Sequence, residues 1–149
     1  MTTTQPGAGR IVVGVDGSPA SVEALRWGAR QAELTGAVLE AVTSWQLPTS
    51  YGSDIFRADI DWAANAQTAL DTACREAGVG APPAELRTVT QGQPAHVLVD
   101  ASADAELVVM GTRGHGGFAG LLLGSVSEYV IAHAACPVLV VRHHPDPPA

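Results

Sequence analysis

The chain of 149 residues contains no lysine, and all eight of its basic residues are arginines. The missing ammonium group excludes a P-loop of the G-x-x-x-x-G-K-[ST] type, a Schiff-base lysine and a Ser–Lys dyad. With 15 acidic residues the net charge is −7, which argues against a protein that coats nucleic-acid phosphates. Any anion must therefore be bound by arginine, histidine or backbone N–H groups.

Cysteines and long apolar runs are also scarce. The only two cysteines, Cys74 and Cys136, form no C-x-x-C pair, and Met1–Gly9 has no apolar secretory core. We therefore expect reduced thiols in a cytoplasmic protein. No stretch of 18 or more apolar residues occurs, so no membrane span is predicted. The histidines show no zinc-ligand spacing, and no G-x-S-x-G elbow marks a hydrolase nucleophile.

Five short apolar runs alternate with segments of helical character, apart from Leu47–Asp59, which shows no clear element. Strands are predicted at Ile11–Val15, Val38–Trp45, Glu85–Thr90, Leu107–Met110 and Val138–Val141. Helices are predicted from the Ser18-Pro19 cap to Gly36, over 61–77, from Pro94, and over 125–134. This order predicts an α/β fold with a five-stranded parallel, doubly wound sheet and helices on both faces.

The strand order 2-1-3-4-5 and the order 3-2-1-4-5 both fit this pattern. Either order opens a crevice at the carboxyl ends of the strands, beside the first strand. In the second order, Asp16 and Gly111 would face each other across it. We predict one domain over residues 10–142, with flexible tails at 1–9 and 143–149.

Six glycines fall in the fourteen positions from Gly111 to Gly124, between a buried strand and a helix start. Glycine lets backbone N–H groups approach a ligand closely, and the following helix directs its positive dipole end to the same point. Together with Arg113, this pattern predicts a phosphate site built without lysine. The alternative is a connecting loop in which Ser125 and Glu128 form a capping box. A single cap does not account for six glycines, which favours the phosphate site.

Two further features of the sequence, the GHGGFA run and Asp16, bear on the kind of ligand. The GHGGFA run at 114–119 matches the dinucleotide fingerprint, but it follows the fourth strand and lacks the acidic residue about 20 positions later, so a NAD site is not predicted. Asp16 ends the first strand, where it could bind a ribose hydroxyl or a divalent ion. It could equally stabilise the turn or the first helix N-terminus. A response-regulator phosphoacceptor would require further acidic residues and a lysine.

The chain resembles the nucleotide-binding branch of the universal stress protein family. That branch carries G-x2-G-x9-G-[ST] after the fourth strand, and Gly111, Gly114, Gly124 and Ser125 reproduce the spacing. The opening IVVGVDGS and the later SVSEYVIAHAACPVLVVR are similar too, so the resemblance extends from Ile11 to Arg142. It implies the strand order 3-2-1-4-5 and ATP bound at the crevice.

The resemblance also implies individual roles. Gly14 and Asp16 would line the nucleotide, with Asp16 toward the ribose or an ATP-bound Mg²⁺, and the Val42 backbone would meet adenine. Met110 and Gly111 would flank the sugar. The phosphates would be held by Arg113, Gly114, Gly124, Ser125, Val126 and Ser127. The family further implies a homodimer joined by antiparallel pairing of the last strands, and an apolar edge at Val138–Val141 would otherwise be exposed.

We therefore expect an ATP-binding universal stress protein, a nucleotide-dependent regulator of the stress response that binds neither nucleic acid nor membrane. No residue is predicted to be catalytic, because neither a recognisable base nor a lysine is present, and slow ATP hydrolysis is the most activity expected. The alternatives are a nucleotide-free dimerisation module and a slow ATP hydrolase.

Overall fold

The computed structural model describes residues 9–47, 60–112 and 123–143. Its five strands are β1 (Arg10–Gly14), β2 (Val38–Trp45), β3 (Arg87–Gln91), β4 (Leu107–Gly111) and β5 (Val138–Val141). Its four α-helices are α1 (Pro19–Thr35), α2 (Trp62–Ala77), α3 (Pro94–Ser102) and α4 (Ser125–His133). Of the predicted tails at 1–9 and 143–149, residues 1–8 and 144–149 lie outside the described residues, as do residues 48–59 and 113–122.

All paired strands of the sheet run parallel, in the order β3-β2-β1-β4-β5, which confirms the predicted fold class and order. Strand β1 occupies the centre, between β2 and β4, and its Val12 and Val13 have no exposed surface. A strand buried on both faces requires a continuous apolar run, which is why this segment reads as IVVGV.

Two cores flank the sheet because successive side chains of a strand point to opposite faces. On one face, Val13 packs in a cluster with Leu25 of α1 and Leu70 of α2. On the other face, Val12 packs with Leu98 of α3 and Val130 of α4. The chain therefore passes from β1 to a helix on one face and from β4 to a helix on the other.

The ends of α1 match the sequence prediction. Ser18 is the N-cap and accepts a hydrogen bond from the Ser21 N–H, Pro19 follows it, and Gly36 ends the helix in the left-handed conformation at φ 78°. A cap of this type satisfies backbone N–H groups that have no partner within the helix. The N-terminus of α1 is thereby fixed beside the carboxyl end of β1.

Three of the five predicted strands differ from the observed ones at their ends: β1 lies one residue earlier, β3 begins two residues later and ends one later, and β4 extends to Gly111. Strand β1 ends at Gly14, although the Val15 N–H still donates to the Val42 carbonyl at 2.9 Å. Strand β3 begins at Arg87, because Ala84–Leu86 form a 3₁₀ turn in which the Leu86 N–H donates to the Pro83 carbonyl. Its position at the sheet edge is as predicted. None of the helices in the described ranges combines the length and apolar character that a membrane span requires.

Candidate functional site

A cavity of about 780 Å³ lies at the carboxyl ends of β1, β2 and β4. Ligand pockets commonly have volumes of about 300–1,000 Å³. Nine of the predicted site residues line this cavity: Gly14, Asp16, Val42, Met110, Gly111, Gly124, Ser125, Val126 and Ser127. The other two, Arg113 and Gly114, lie outside the described residues. The structure thus brings together every predicted site residue that it describes.

The topology explains this convergence. Strand β1 pairs with both β2 and β4, so the ends of these three strands are neighbours. Because the chain leaves β1 and β4 toward opposite faces of the sheet, the connecting segments diverge and leave a crevice between them. The sequence separation between Gly14 and Gly111 therefore does not prevent them from lining one cavity.

Helix α4 begins at the wall of this cavity. Its N-cap is Gly124, at φ −85° and ψ 170°, and no side chain caps the helix. The first bond of the helix runs from the Glu128 N–H to the Gly124 carbonyl at 3.0 Å. The capping box considered for Ser125 and Glu128 was therefore wrong, since Ser125 is the first helical residue and is exposed.

The first turn of α4 consequently presents backbone donors. The N–H groups of Ser125, Val126 and Ser127 precede the first N–H that an α-helix can satisfy internally. All three residues line the cavity. Such groups, with the positive end of the helix dipole, attract anions.

Ser127 has a buried hydroxyl that is already engaged. Its Oγ donates toward the carbonyls of Gly111, at 3.0 Å, and Thr112, at 2.7 Å, and the residue is 2% exposed. The Gly124 N–H also donates to Thr112, at 2.7 Å. These bonds hold the start of α4 against the end of β4, so the backbone N–H of Ser127, and not its hydroxyl, is the donor left for an anion.

Asp16 stabilises the turn before α1 and also lines the cavity, so its position is compatible with both roles that the sequence left open. Its Oδ1 accepts the Ser18 N–H at 2.9 Å, which stabilises the turn before α1. The side chain is exposed and lines the cavity, so its second carboxylate oxygen is available to a ligand. Val42 also lines the cavity, and its carbonyl accepts the Val15 N–H. A carbonyl oxygen has two acceptor positions, so this bond occupies one and leaves the other for a ligand.

Helix α2 supplies a wall that the sequence analysis missed. Trp62, Asn65, Ala66 and Ala69 line the cavity at a spacing of i, i+3, i+4 and i+7, which is one helix face, and Trp45 joins them from the end of β2. The only signal of this wall in the sequence was that Trp45 and Trp62 lie on either side of Leu47–Asp59, the segment without a clear element.

The indole N–H of Trp62 is buried and has no hydrogen-bond partner in the part of the chain that the structure describes. Leaving a buried donor unpaired costs about 1–3 kcal/mol. Buried polar groups in folded proteins are nearly always paired. This donor, which belongs to a residue that lines the cavity, therefore calls for an explanation.

The site contains few groups capable of acid–base or metal chemistry. Asp16 is the only carboxylate among the described residues that line the cavity. Residues 9–47, 60–112 and 123–143 hold no group of three or more His, Cys, Asp or Glu that could bind a metal. Cys74 lies in the core, and Cys136 is also partly covered; burial raises the pKa of both thiols. Neither of them lines the cavity.

Comparison with known proteins identifies relatives over nearly the whole chain. The model of the universal stress protein family matches residues 7–142. Universal stress protein Rv2623 of Mycobacterium tuberculosis (strain H37Rv) is 38% identical over 145 residues, which cover 89% of this chain and 47% of that protein. Universal stress protein Rv2005c of the same strain is 39% identical over 139 residues, which cover 89% of this chain and 45% of that protein. The chain thus spans about half the length of the curated relatives it matches.

Solved structures show the same fold. Universal stress protein UspA from Lactobacillus plantarum superimposes with a TM-score of 0.75 at 24% identity, covering 93% of this chain and 100% of that one. A universal stress protein crystallised in complex with cAMP gives a TM-score of 0.67 at 26% identity, covering 92% of this chain and 98% of that one. The first likeness concerns the fold alone, and the second is to a protein that binds a nucleotide.

Proposed function

Because this chain belongs to the universal stress protein family, we propose that it binds an adenine nucleotide, ATP, and that the bound nucleotide regulates its contacts with other macromolecules in the stress response. The observation that carries the proposal is the single cavity lined by all nine described residues that the sequence singled out. The complex of a related universal stress protein with cAMP supports the same class of ligand.

The phosphates would bind at the start of α4. The N–H groups of Ser125, Val126 and Ser127, which have no partner among the described residues, and the helix dipole supply the attraction. Gly124 lets the phosphate approach the backbone without a Cβ in the way. The resemblance adds Arg113 and Gly114 to this end of the site. A chain without lysine can bind a triphosphate in this manner because backbone donors need no ammonium side chain.

The nucleoside would lie toward β1 and β2. The free oxygen of Asp16 is suited to accept a ribose hydroxyl, and the open acceptor position of the Val42 carbonyl is suited to the exocyclic amino group of adenine. Gly14, Met110 and Gly111 would supply the wall beside the sugar.

A magnesium ion would arrive with the phosphates. Mg²⁺ typically keeps several waters and takes one or two carboxylates in addition to phosphate oxygens. The one carboxylate on the cavity wall, Asp16, fits that requirement, whereas a site built from protein ligands alone does not fit the described residues. We propose regulation rather than fast phosphoryl transfer, since the described lining residues offer no general base other than this carboxylate.

Mass spectrometry of the small molecules carried by the purified protein, followed by calorimetric titration of ATP with Mg²⁺, tests the proposal. The wild-type protein should bind ATP, and Gly124→Asp should weaken binding by at least about 100-fold because a carboxylate then faces the phosphates. The backbone of Gly124 suits other residues and Asp is a preferred N-cap, so this variant should remain folded.

Gly124→Ala is the matched control, because it adds a Cβ without charge and should lose much less affinity than Gly124→Asp. Unchanged ATP affinity in the aspartate variant would contradict the phosphate site. A wild-type protein that binds no nucleotide would favour the nucleotide-free dimerisation module.

We propose that the protein acts in the cytoplasm, where free thiols such as Cys74 and Cys136 stay reduced. We also propose that a second copy of the chain pairs with the edge strand β5.

A further inference from the structure

Trp45 and Trp62 line the part of the cavity beside β2 and α2, away from the start of α4 where we propose that the phosphates bind. Trp45 is the last residue of β2, and Trp62 is the first residue of α2. Both line the cavity, and the indole N–H of Trp62 is buried without a partner in the described residues. An aromatic wall with an unused donor suits a flat ligand that carries hydrogen-bond acceptors.

The position of this wall relative to α4 matches an elongated ligand. Strands β2 and β4 lie on either side of β1, and neighbouring strands are about 4.8 Å apart, so the carboxyl ends of β2 and β4 are separated by about 10 Å. A ligand with its phosphates at Ser125–Ser127 therefore extends across β1 toward the tryptophans. The group that reaches them is the one farthest from the phosphates, which in a nucleotide is the base.

We infer that Trp45 and Trp62 form a purine subsite, in which the indole rings pack against the base and the Trp62 N–H donates to one of its ring nitrogens. The inference rests on the proposed nucleotide binding and goes beyond the backbone contact at Val42. Indole N–H is a donor only, and a purine offers unprotonated ring nitrogens as acceptors, so the two are complementary.

Asn65 extends this subsite by one helical turn. It lies three residues after Trp62, on the same face of α2, and lines the cavity. Its amide carries both a donor and an acceptor, the combination that reads the N6 and N7 edge of adenine. The subsite therefore favours adenine over guanine, whose corresponding edge presents two acceptors.

Calorimetric titrations with adenosine, ATP and inorganic tripolyphosphate separate the two ends of the cavity. Trp62→Phe retains an aromatic ring but loses the N–H, so adenosine and ATP should each bind about three- to tenfold more weakly. Trp62→Ala also loses the stacking surface and should weaken both by more than about tenfold. Tripolyphosphate, which has no base, should bind all these proteins equally.

Trp27→Phe is the matched control. Trp27 lies on α1, where the Arg30 guanidinium is 4.3 Å from its ring centre, and it does not line the cavity. This variant should bind all three ligands as the wild type does. Thermal unfolding of each variant verifies that it is folded, and Trp62→Phe carries the test if the alanine variant does not fold.

Each outcome has a definite meaning. If wild type binds ATP and Trp62→Phe binds adenosine and ATP with unchanged affinity, the purine subsite is wrong and the proposed function stands. If Trp62→Phe weakens tripolyphosphate as much as ATP, Trp62 acts through the fold and the subsite is also wrong. If the wild type binds neither ATP nor tripolyphosphate, the proposed function fails and the subsite fails with it.

Discussion

The two serines in the first turn of α4 differ in burial and in the hydrogen bonds of their hydroxyls. Ser127 is buried and bonds to the carbonyls of Gly111 and Thr112, whereas Ser125 is exposed. In Ser127→Ala the Thr112 carbonyl keeps the Gly124 N–H, but the Gly111 carbonyl loses its hydroxyl partner. We expect the free energy of unfolding to fall by about 1–3 kcal/mol, measured by urea denaturation.

Ser125→Ala provides the comparison at the same helix end. Its free energy of unfolding should stay within about 0.5 kcal/mol of wild type, as is usual for exposed substitutions. Equal effects of the two substitutions would show that the Ser127 bonds do not hold α4 against β4. In that case the Ser127 hydroxyl would not be what positions the N–H groups of α4 for the proposed phosphate contact.

The packing of β4 against α1 depends on a close approach at Gly111. A Cβ added there would meet the Cβ of Ala20 at 2.7 Å and its carbonyl carbon at 3.1 Å. At Gly14 the corresponding neighbour is Cδ1 of Leu98, also at 2.7 Å, which is the end of a flexible side chain. The family resemblance implied that both glycines lie beside the nucleotide, and the structure adds that they leave room for the helices.

Gly111→Ala should therefore cost more stability than Gly14→Ala. In the first variant the backbone of α1 has to move away from the sheet, and overpacking of this kind typically costs about 1–3 kcal/mol. In the second variant a rotation of the Leu98 side chain relieves the contact, so the loss should be smaller. Thermal unfolding of the two variants measures the difference, and a larger loss for Gly14→Ala would contradict this account of the packing.

Helix α2 shows where prediction from sequence reaches its limit. Its start near Asp61 and its end at Gly78 were predicted from the residues alone. An amphipathic pattern indicates which helix face is apolar, but it does not say whether that face covers the sheet or extends to a cavity. Leu70 and Cys74 pack in the core, whereas Trp62 and Ala66 line the cavity, and only the tertiary arrangement separates the two sets.

For the whole molecule, the interior positions of β1 and β4 were predictable because both are continuous apolar runs that require burial on both faces. These runs fit both strand orders, and only the family resemblance implied the order 3-2-1-4-5. The glycine spacing and Asp16 predicted a candidate site at the carboxyl end of the sheet, and the cavity lies there. The sequence did not reveal that the Ser127 hydroxyl bonds to β4, because that contact spans 15 and 16 positions. It also did not reveal the 3₁₀ turn before β3, because Glu85–Thr90 alternates as a strand does.

The outer edge of β5 pairs with no other strand in the described part of the chain. Strand β5 is the last strand of the sheet and pairs with β4. The Pro137 carbonyl accepts the N–H of Val108 in β4 at 3.0 Å, and the Val141 carbonyl accepts the N–H of Thr112, the residue after β4, at 2.9 Å. Because backbone groups of successive residues point to opposite sides of a strand, those of Val138 and Val140 point away from β4. An apolar edge with such groups is a template for pairing with a second chain.

Val140→Pro tests the proposed homodimer through that edge. Proline removes an outward N–H but no bond to β4, and an edge strand tolerates it, so the monomer should stay folded. We expect the wild-type chain to sediment as a dimer in analytical ultracentrifugation and the proline variant as a monomer. Val140→Thr, which keeps the N–H and the β-branched shape, should remain dimeric. A proline variant that still dimerises would place the contact elsewhere, since antiparallel pairing of two β5 strands requires the donors that proline lacks.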